Sequence, residues 1–345
     1  MTSIAPPRRL VLWVTAALFL LAALLPGIAA CASMDKKRIE RELLALAKNA
    51  PVAAHGLERA TIEVELAGER RRVEAVFYRV PRPAERGTEP RPTVVLVHGT
   101  PSSLFSWTEV VFGDAGYRGL SASCDVVVLD VVGHGVTPTS VAPDSFQRCA
   151  DYVAGALAAL GLADVCLIGH SYGGEFVWRA ALDHPELVSR VVLVDSSGYP
   201  RRDDEWLPEE VKMREWWIAR WGYVLNSRER ILSALQPHFR RPVSPDRRDE
   251  IYLVCANADS WRAMVELARD ENGLRSGELK DLRQPTLLLW GALDIAYKPE
   301  RFAALFERDI PGAHLVLVEG AGHYPHEEQP AAVVAAIEHF LGVGQ

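Results

Sequence analysis

Six short apolar runs, at residues 93–97, 125–129, 165–168, 191–194, 286–290 and 314–318, restrict what this chain can fold into more than any other feature. Each is four or five residues long, rich in Val, Leu and Ile, and hardly broken by polar side chains. Runs of that kind suit parallel strands buried on both faces. Helix-like stretches fall between or after them, at 146–160, 175–182, 301–306 and 331–341. That alternation means a parallel α/β sheet with helices on both faces. Ahead of the series, residues 60–66 and 72–80 alternate apolar and polar side chains, as an antiparallel pair does. The sheet is therefore expected to be mostly parallel, mixed at one end, and eight-stranded.

The segments outside this series have their own character. Residues 35–49 form a charged, helix-favouring stretch with Ile39, Leu43, Leu46 and Ala47 on one face. Residues 81–92, rich in Pro, Arg and Glu, have no periodicity and read as a surface loop. About ninety residues separate Val194 from Thr286, where a crossover needs roughly a dozen. This insertion holds five of the nine tryptophans. Pro208 with Glu209 and Glu210 starts a helix well, and Met213, Trp217 and Trp221 then recur on one face. Such a stripe either packs on the main body or walls a substrate cavity, and one helix can do both.

With 345 residues, 49% of them hydrophobic, the chain can bury a full core. Its net charge of −7, or −9 without Arg8 and Arg9, argues against nucleic acid as a partner. The clusters Arg70-Arg71-Arg72, Arg240-Arg241 and Arg247-Arg248 have acids nearby and read as solvated faces. Arg8 and Arg9 precede an uncharged apolar stretch that ends Ile28-Ala29-Ala30-Cys31. A positive start, an apolar middle and small residues before a cut point describe a secretory signal. The last four residues resemble the lipobox of bacterial lipoproteins, which implies Cys31 as the lipidated residue. An uncleaved membrane anchor is the competing reading, since about twenty apolar residues can span a bilayer. Either way the remainder faces the outside, in the cell envelope. The other cysteines, Cys124, Cys149, Cys166 and Cys255, show no disulfide framework, and Cys166 reads as a small buried apolar residue. No Cys/His spacing suits zinc, so no metal is expected.

Gly169-His170-Ser171-Tyr172-Gly173 follows the run at 165–168 and precedes a helix-like stretch. Strand, sharp turn and helix are the context in which a Gly-x-Ser-x-Gly serine stands clear of the backbone as a nucleophile. Such a serine needs a base, and the base needs an orienting acid. Asp294 lies just past one apolar run and His323 just past the next. Strand C-terminal ends form the ligand-binding rim of an α/β sheet, so Ser171, Asp294 and His323 can converge there. Asp195, at the end of the preceding run, rivals Asp294, which could instead cap a helix near Pro299. His326 competes with His323, whose glycine-flanked loop leaves it freer to reach a serine. His98, His134 and His170 read as loop braces, and Cys149 and Cys255 as inert thiols.

From about residue 60 to 342 the chain resembles α/β-hydrolase-fold proteins with a cap inserted after the sixth strand. The residues carrying the likeness are His98-Gly99-Thr100-Pro101, Asp130 to Gly135, the elbow, and Gly322-His323-Tyr324-Pro325-His326-Glu327-Glu328. The resemblance implies an oxyanion hole made by the backbone N–H groups of Thr100 and Tyr172. His-Gly-Thr-Pro with Ser102, Ser103 and Trp107 is most similar to the haloalkane dehalogenase and epoxide hydrolase branches. Those place aspartate at the elbow, because an alkyl-enzyme ester must form on a carboxylate. Ser171 excludes that chemistry here and leaves acyl transfer.

The expected organisation is a signal or anchor at 1–30, a helical segment at 31–59, a hydrolase core at 60–197 and 281–345, and a helical cap at 198–280. The expected activity is hydrolysis of an ester or related acyl bond in a small, apolar substrate, with water as co-substrate and no cofactor. Carbon–carbon bond hydrolysis, amide or iminopeptide cleavage, and a non-catalytic ligand-binding role are the alternatives.

Overall fold

The computed structural model describes residues 34–46, 57–66, 69–80, 90–137, 145–202, 222–224 and 226–344. The two alternating segments and the six apolar runs become the strands β1 (Glu58–Leu66), β2 (Glu69–Arg79), β3 (Thr93–Val97), β4 (Asp125–Leu129), β5 (Val165–His170), β6 (Val188–Val194), β7 (Thr286–Gly291) and β8 (His314–Val318). They form one eight-stranded sheet in the order β1-β2-β4-β3-β5-β6-β7-β8. β1 runs antiparallel to β2 and β2 antiparallel to β4, while every other pairing is parallel.

Helices cover both faces. They are α1 (Lys36–Leu46), α2 (Thr108–Phe112), α3 (Phe146–Ala159), α4 (Tyr172–Asp183), α5 (Arg228–Leu235), α6 (Pro245–Cys255), α7 (Ala258–Asp270), α8 (Phe302–Asp309), α9 (Pro325–Glu328) and α10 (Pro330–Leu341). Successive strand side chains point to opposite faces, which divides each apolar run between two cores. Val95, Val97, Leu167, Leu193 and Leu288 pack with α3, α4 and α8. Val94, Leu96, Ile168, Val192 and Leu289 pack with α1, α2 and α10. Each such side chain contributes about 1.5–3 kcal/mol by leaving water. The sequence ends these helices as well as filling them. Ser145 accepts from the Arg148 N–H to cap α3, and Gly342, at φ 70°, closes α10 in the left-handed conformation.

β8 departs from expectation. It pairs only with β7, and Leu317 is 45% exposed, so this run is an edge strand and not one buried on both faces. An apolar run identifies a strand, but the number of neighbours it acquires is decided by the fold.

The long insertion leaves the sheet after β6 and returns at β7, and its described helices are α5, α6 and α7. They share a small core of Tyr223, Ile231, Leu235, Phe239, Ile251, Trp261, Met264 and Val265. Tyr324, from the loop after β8, enters this core and stacks on Phe239 with ring centres 4.4 Å apart. The stripe of Met213, Trp217 and Trp221 lies outside the described residues. So do Cys31 and the apolar segment before it. Among the described residues no helix is long and apolar enough to cross a membrane.

Candidate active site

Ser171 occupies the single-residue turn between β5 and α4, with φ 54° and ψ −122°. A non-glycine residue there is strained, and the surrounding hydrogen bonds hold it in place. The Ser171 N–H donates to the Val194 carbonyl at 2.9 Å, and its own carbonyl accepts from Gly174 and Ser197 at 3.0 and 3.1 Å. The turn also forces strand and helix together. A Cβ on Gly169 would lie 2.3 Å from the Gly173 carbonyl oxygen, and one on Gly173 would lie 2.4 Å from that of His98. Both positions therefore require glycine.

Two loops reach the serine. His323 Nε2 is 3.2 Å from Ser171 Oγ, and His323 Nδ1 is 2.9 Å from Asp294 Oδ2. In the tautomer this geometry favours, Nδ1–H donates to the carboxylate and Nε2 accepts from the hydroxyl. All three side chains are buried. Asp294 does not cap the helix near Pro299. Its Oδ1 accepts from the Ala296 N–H at 2.7 Å, which turns the loop and aims Oδ2 at the imidazole. Burial works against its charge, yet His323 and Asp195 hold its pKa below the ordinary carboxylate value. The insertion also grips the histidine loop, because the His323 N–H donates to the His238 carbonyl at 2.9 Å.

The competing residues do not take the places of His323 and Asp294. The His326 ring is buried between Trp107 and His170, each 4.4 Å away between ring centres. Asp195 stands beside the His323–Asp294 pair but makes no hydrogen bond to the imidazole; its Oδ1 accepts from the Gly291 N–H at 3.0 Å. His98 bonds Asp130 and the Gly99 carbonyl, His134 bonds Thr100 Oγ1 at 2.7 Å, and His170 bonds the His323 carbonyl at 2.8 Å. All three brace loops, as the sequence suggested. Thr100 follows Gly99, whose Cβ position lies 2.8 Å from Ser171 Cβ, so this loop runs against the serine. Tyr172 is the first residue of α4, directly after it. The four cysteines of the described region are buried and unbridged, and burial pushes the Cys166 thiol up.

Sequence reasoning missed two buried acids. Glu271, which directly follows α7 in the insertion, accepts from Tyr172 OH at 2.8 Å, Tyr297 OH at 2.7 Å and Arg201 Nε at 2.9 Å. Burial works against the Arg201 charge, but Tyr297, Glu271 and Tyr172 more than offset it and keep the guanidinium above its ordinary pKa. Glu175, one turn into α4, bonds Arg179 and Ser197, and burial pushes its pKa up to about 7. No local pattern marks Glu271, whose partners come from distant segments; Glu175 has a local partner in Arg179, one helical turn on, but its burial and its bond from Ser197 are set by the tertiary fold. Among the described residues, one group of three metal-type side chains is close enough to share an ion: Asp195, Asp294 and His323. The hydrogen bonds just described already engage it.

Comparison with known proteins agrees with this architecture. A family model described as alpha/beta hydrolase fold matches residues 92–330. An uncharacterized hydrolase, YugF, of Bacillus subtilis is 29% identical over 255 residues, covering 73% of this chain and 90% of that protein. Among solved structures, a membrane phospholipase A described as a bacterial virulence factor superposes with TM-score 0.68 at 24% identity, over 97% of this chain and 98% of its own. A thermophilic esterase from Thermogutta terrifontis gives TM-score 0.65 at 24% identity, over 83% and 98%.

Proposed function

Since the chain belongs to the alpha/beta hydrolase fold family, whose model spans well over half of it, we propose that it is a serine hydrolase acting on carboxylic esters. The observation that carries this reading is the buried hydrogen-bonded line from Ser171 Oγ through His323 to Asp294. Ser171 Oγ attacks the ester carbonyl while His323 Nε2 takes its proton, and Asp294 stabilises the imidazolium. The Thr100 and Tyr172 backbone N–H groups receive the developing oxyanion, each worth on the order of 10²–10³ in rate. Collapse of the tetrahedral intermediate breaks the C–O bond to the alcohol, which leaves with the proton from His323. Water then adds to the acyl-enzyme, gives its proton to His323, and the free acid departs as Ser171 is reprotonated. Strain at Ser171 supports the assignment, because backbone strain of this kind collects at reacting positions.

The substrate is a small, apolar acyl compound. This part of the reading rests on the aromatic content of the insertion, with Trp261 and Tyr223 in its described core. The place of action is the outer side of a membrane, with Cys31 as the lipid-bearing residue of a cleaved signal; the run from Leu10 to Cys31 supports it. The test is hydrolysis of a p-nitrophenyl ester series of increasing chain length by residues 32–345, beside Ser171→Ala. A phosphatidylcholine arm is included because one structural neighbour is a phospholipase. Turnover that falls at least about 10³-fold in the variant, with the fold retained, is the expected result. Turnover retained in Ser171→Ala would refute the nucleophile.

A further inference from the structure

Asp195 is a second buried carboxyl group beside the Asp294–His323 pair, and the proposed reaction gives it no task. One ligand atom from each of Asp195, Asp294 and His323 lies within 4.8 Å of the others. Two carboxyl groups so close and so dry cannot both carry a charge. Hydrogen bonding decides which stays ionised. Asp294 has the His323 N–H on Oδ2 and the Ala296 N–H on Oδ1, two donors suited to an anion. Asp195 has the Gly291 N–H on Oδ1, and its fully buried Oδ2 has no hydrogen-bond partner. A bare anionic oxygen there would be costly; a protonated one has the Asp294 carboxylate to donate to. The site is also built to hold Asp195 in position. It sits at φ 43°, a strained conformation, and its N–H bonds the Leu289 carbonyl at 3.0 Å.

We infer that Asp195 is a neutral carboxylic acid that donates a hydrogen bond to Asp294, and so acts as a positioning residue for the acid of the triad. The inference rests on the serine-hydrolase reading for its kinetic consequence, though not for the protonation state itself. Burial and the Asp294 charge both favour the proton on Asp195, in the same direction as the geometry. An orienting donor fixes the carboxylate that holds His323, and it draws off part of the charge that stabilises the imidazolium. The other titratable groups facing this cluster are His170, His238, Tyr297, Tyr324 and Glu328.

Two substitutions separate the roles. Asp195→Asn keeps an acceptor for Gly291 and a donor for Asp294, adds no charge change if Asp195 is neutral, and suits a positive φ. Asp195→Ala removes the donor. The Asn variant is expected to keep kcat/KM within about twofold, with the acid limb of its pH profile unmoved. The Ala variant is expected to lose about tenfold in kcat with KM unchanged, and to move that limb to higher pH. A shifted acid limb in the Asn variant, or an Ala variant indistinguishable from the parent, overturns the inference. Infrared difference spectra between parent and Asp195→Asn, taken above neutral pH, need no activity. They are expected to show a neutral-carboxyl carbonyl band lost on substitution, and no lost band overturns the proposal. Should Ser171→Ala retain turnover, the hydrolase reading fails while the infrared result still decides the state of Asp195.

Discussion

Glu271→Leu tests how firmly the insertion and the helix that follows Ser171 are joined. The wild-type carboxylate, with a side chain 2% exposed, holds Arg201, whose side chain is 8% exposed, and accepts from the Tyr172 and Tyr297 hydroxyls. Leucine nearly fills the volume, so little of the effect comes from a cavity. What remains is a buried guanidinium that has lost the Glu271 carboxylate and two hydroxyls that have lost their acceptor. Removing one partner of a buried ion pair costs about 3–5 kcal/mol, and each orphaned hydroxyl about 1–3 kcal/mol. These overlap, because Arg201 keeps its bond from Nη1 to the Ala296 carbonyl at 2.7 Å and water can reach what opens. The expected loss is about 4 kcal/mol, a large share of the roughly 5–15 kcal/mol that stabilises a folded domain. Urea unfolding of the parent, Glu271→Leu, Arg201→Met and the double variant measures it. The double variant should be at least about 2 kcal/mol more stable than the sum of the single losses implies, since it strands no charge. A single-variant loss under about 1 kcal/mol, or strict additivity in the double variant, would refute the argument.

Glu175 predicts a pH dependence. Burial raises its folded pKa to about 7 from an ordinary value of 4.5, so across that window the folded state holds a proton the unfolded state has released. Stability from this group is therefore full below about 4.5 and declines as pH rises to about 7. Glu175→Gln should flatten part of that slope in urea titrations, with Glu327, also pushed up to about 7, supplying a further part. An unchanged slope contradicts the assignment. At the other end of the chain, intact mass of membrane-extracted protein should show residues 1–30 absent and acyl mass on Cys31. A mass that includes residues 1–30 would instead mean an uncleaved anchor.

What could be read from the sequence was local. Gly169 to Gly173 carries its own explanation, since strand, tight turn and helix are each encoded within a few residues. Asp294 and His323 were legible because each follows an apolar run, and ends of parallel strands meet on one rim. That rule alone could not rank Asp294 above Asp195, which ends its own strand equally well; the ranking depends on which carboxylate faces the imidazole. The Glu271 cluster was invisible for a related reason. It joins Tyr172, Arg201, Glu271 and Tyr297, and no periodicity links positions so far apart. The edge position of β8 depends on sheet order, and an apolar run carries no information about order.

The insertion begins and ends at neighbouring strands. Val191 to Val194 pair in parallel register with Thr286 to Leu289, so the insertion leaves at the C-terminal end of one strand and returns at the N-terminal end of its neighbour, two points whose separation the sheet fixes. Closing a loop between fixed ends costs only a logarithm of its length. The segment between them can therefore change in length at small entropic cost, provided its contacts to the core are kept. The contacts that hold it are Glu271 against Tyr172 and Tyr297, the His238 carbonyl against His323, and Arg247 against Ser102 and Glu327; Arg247, expected on a solvated face, is buried because its partners Ser102 and Glu327 come from the core. A chain whose insertion lacked those pairings would keep its sheet and lose the alignment of its histidine loop.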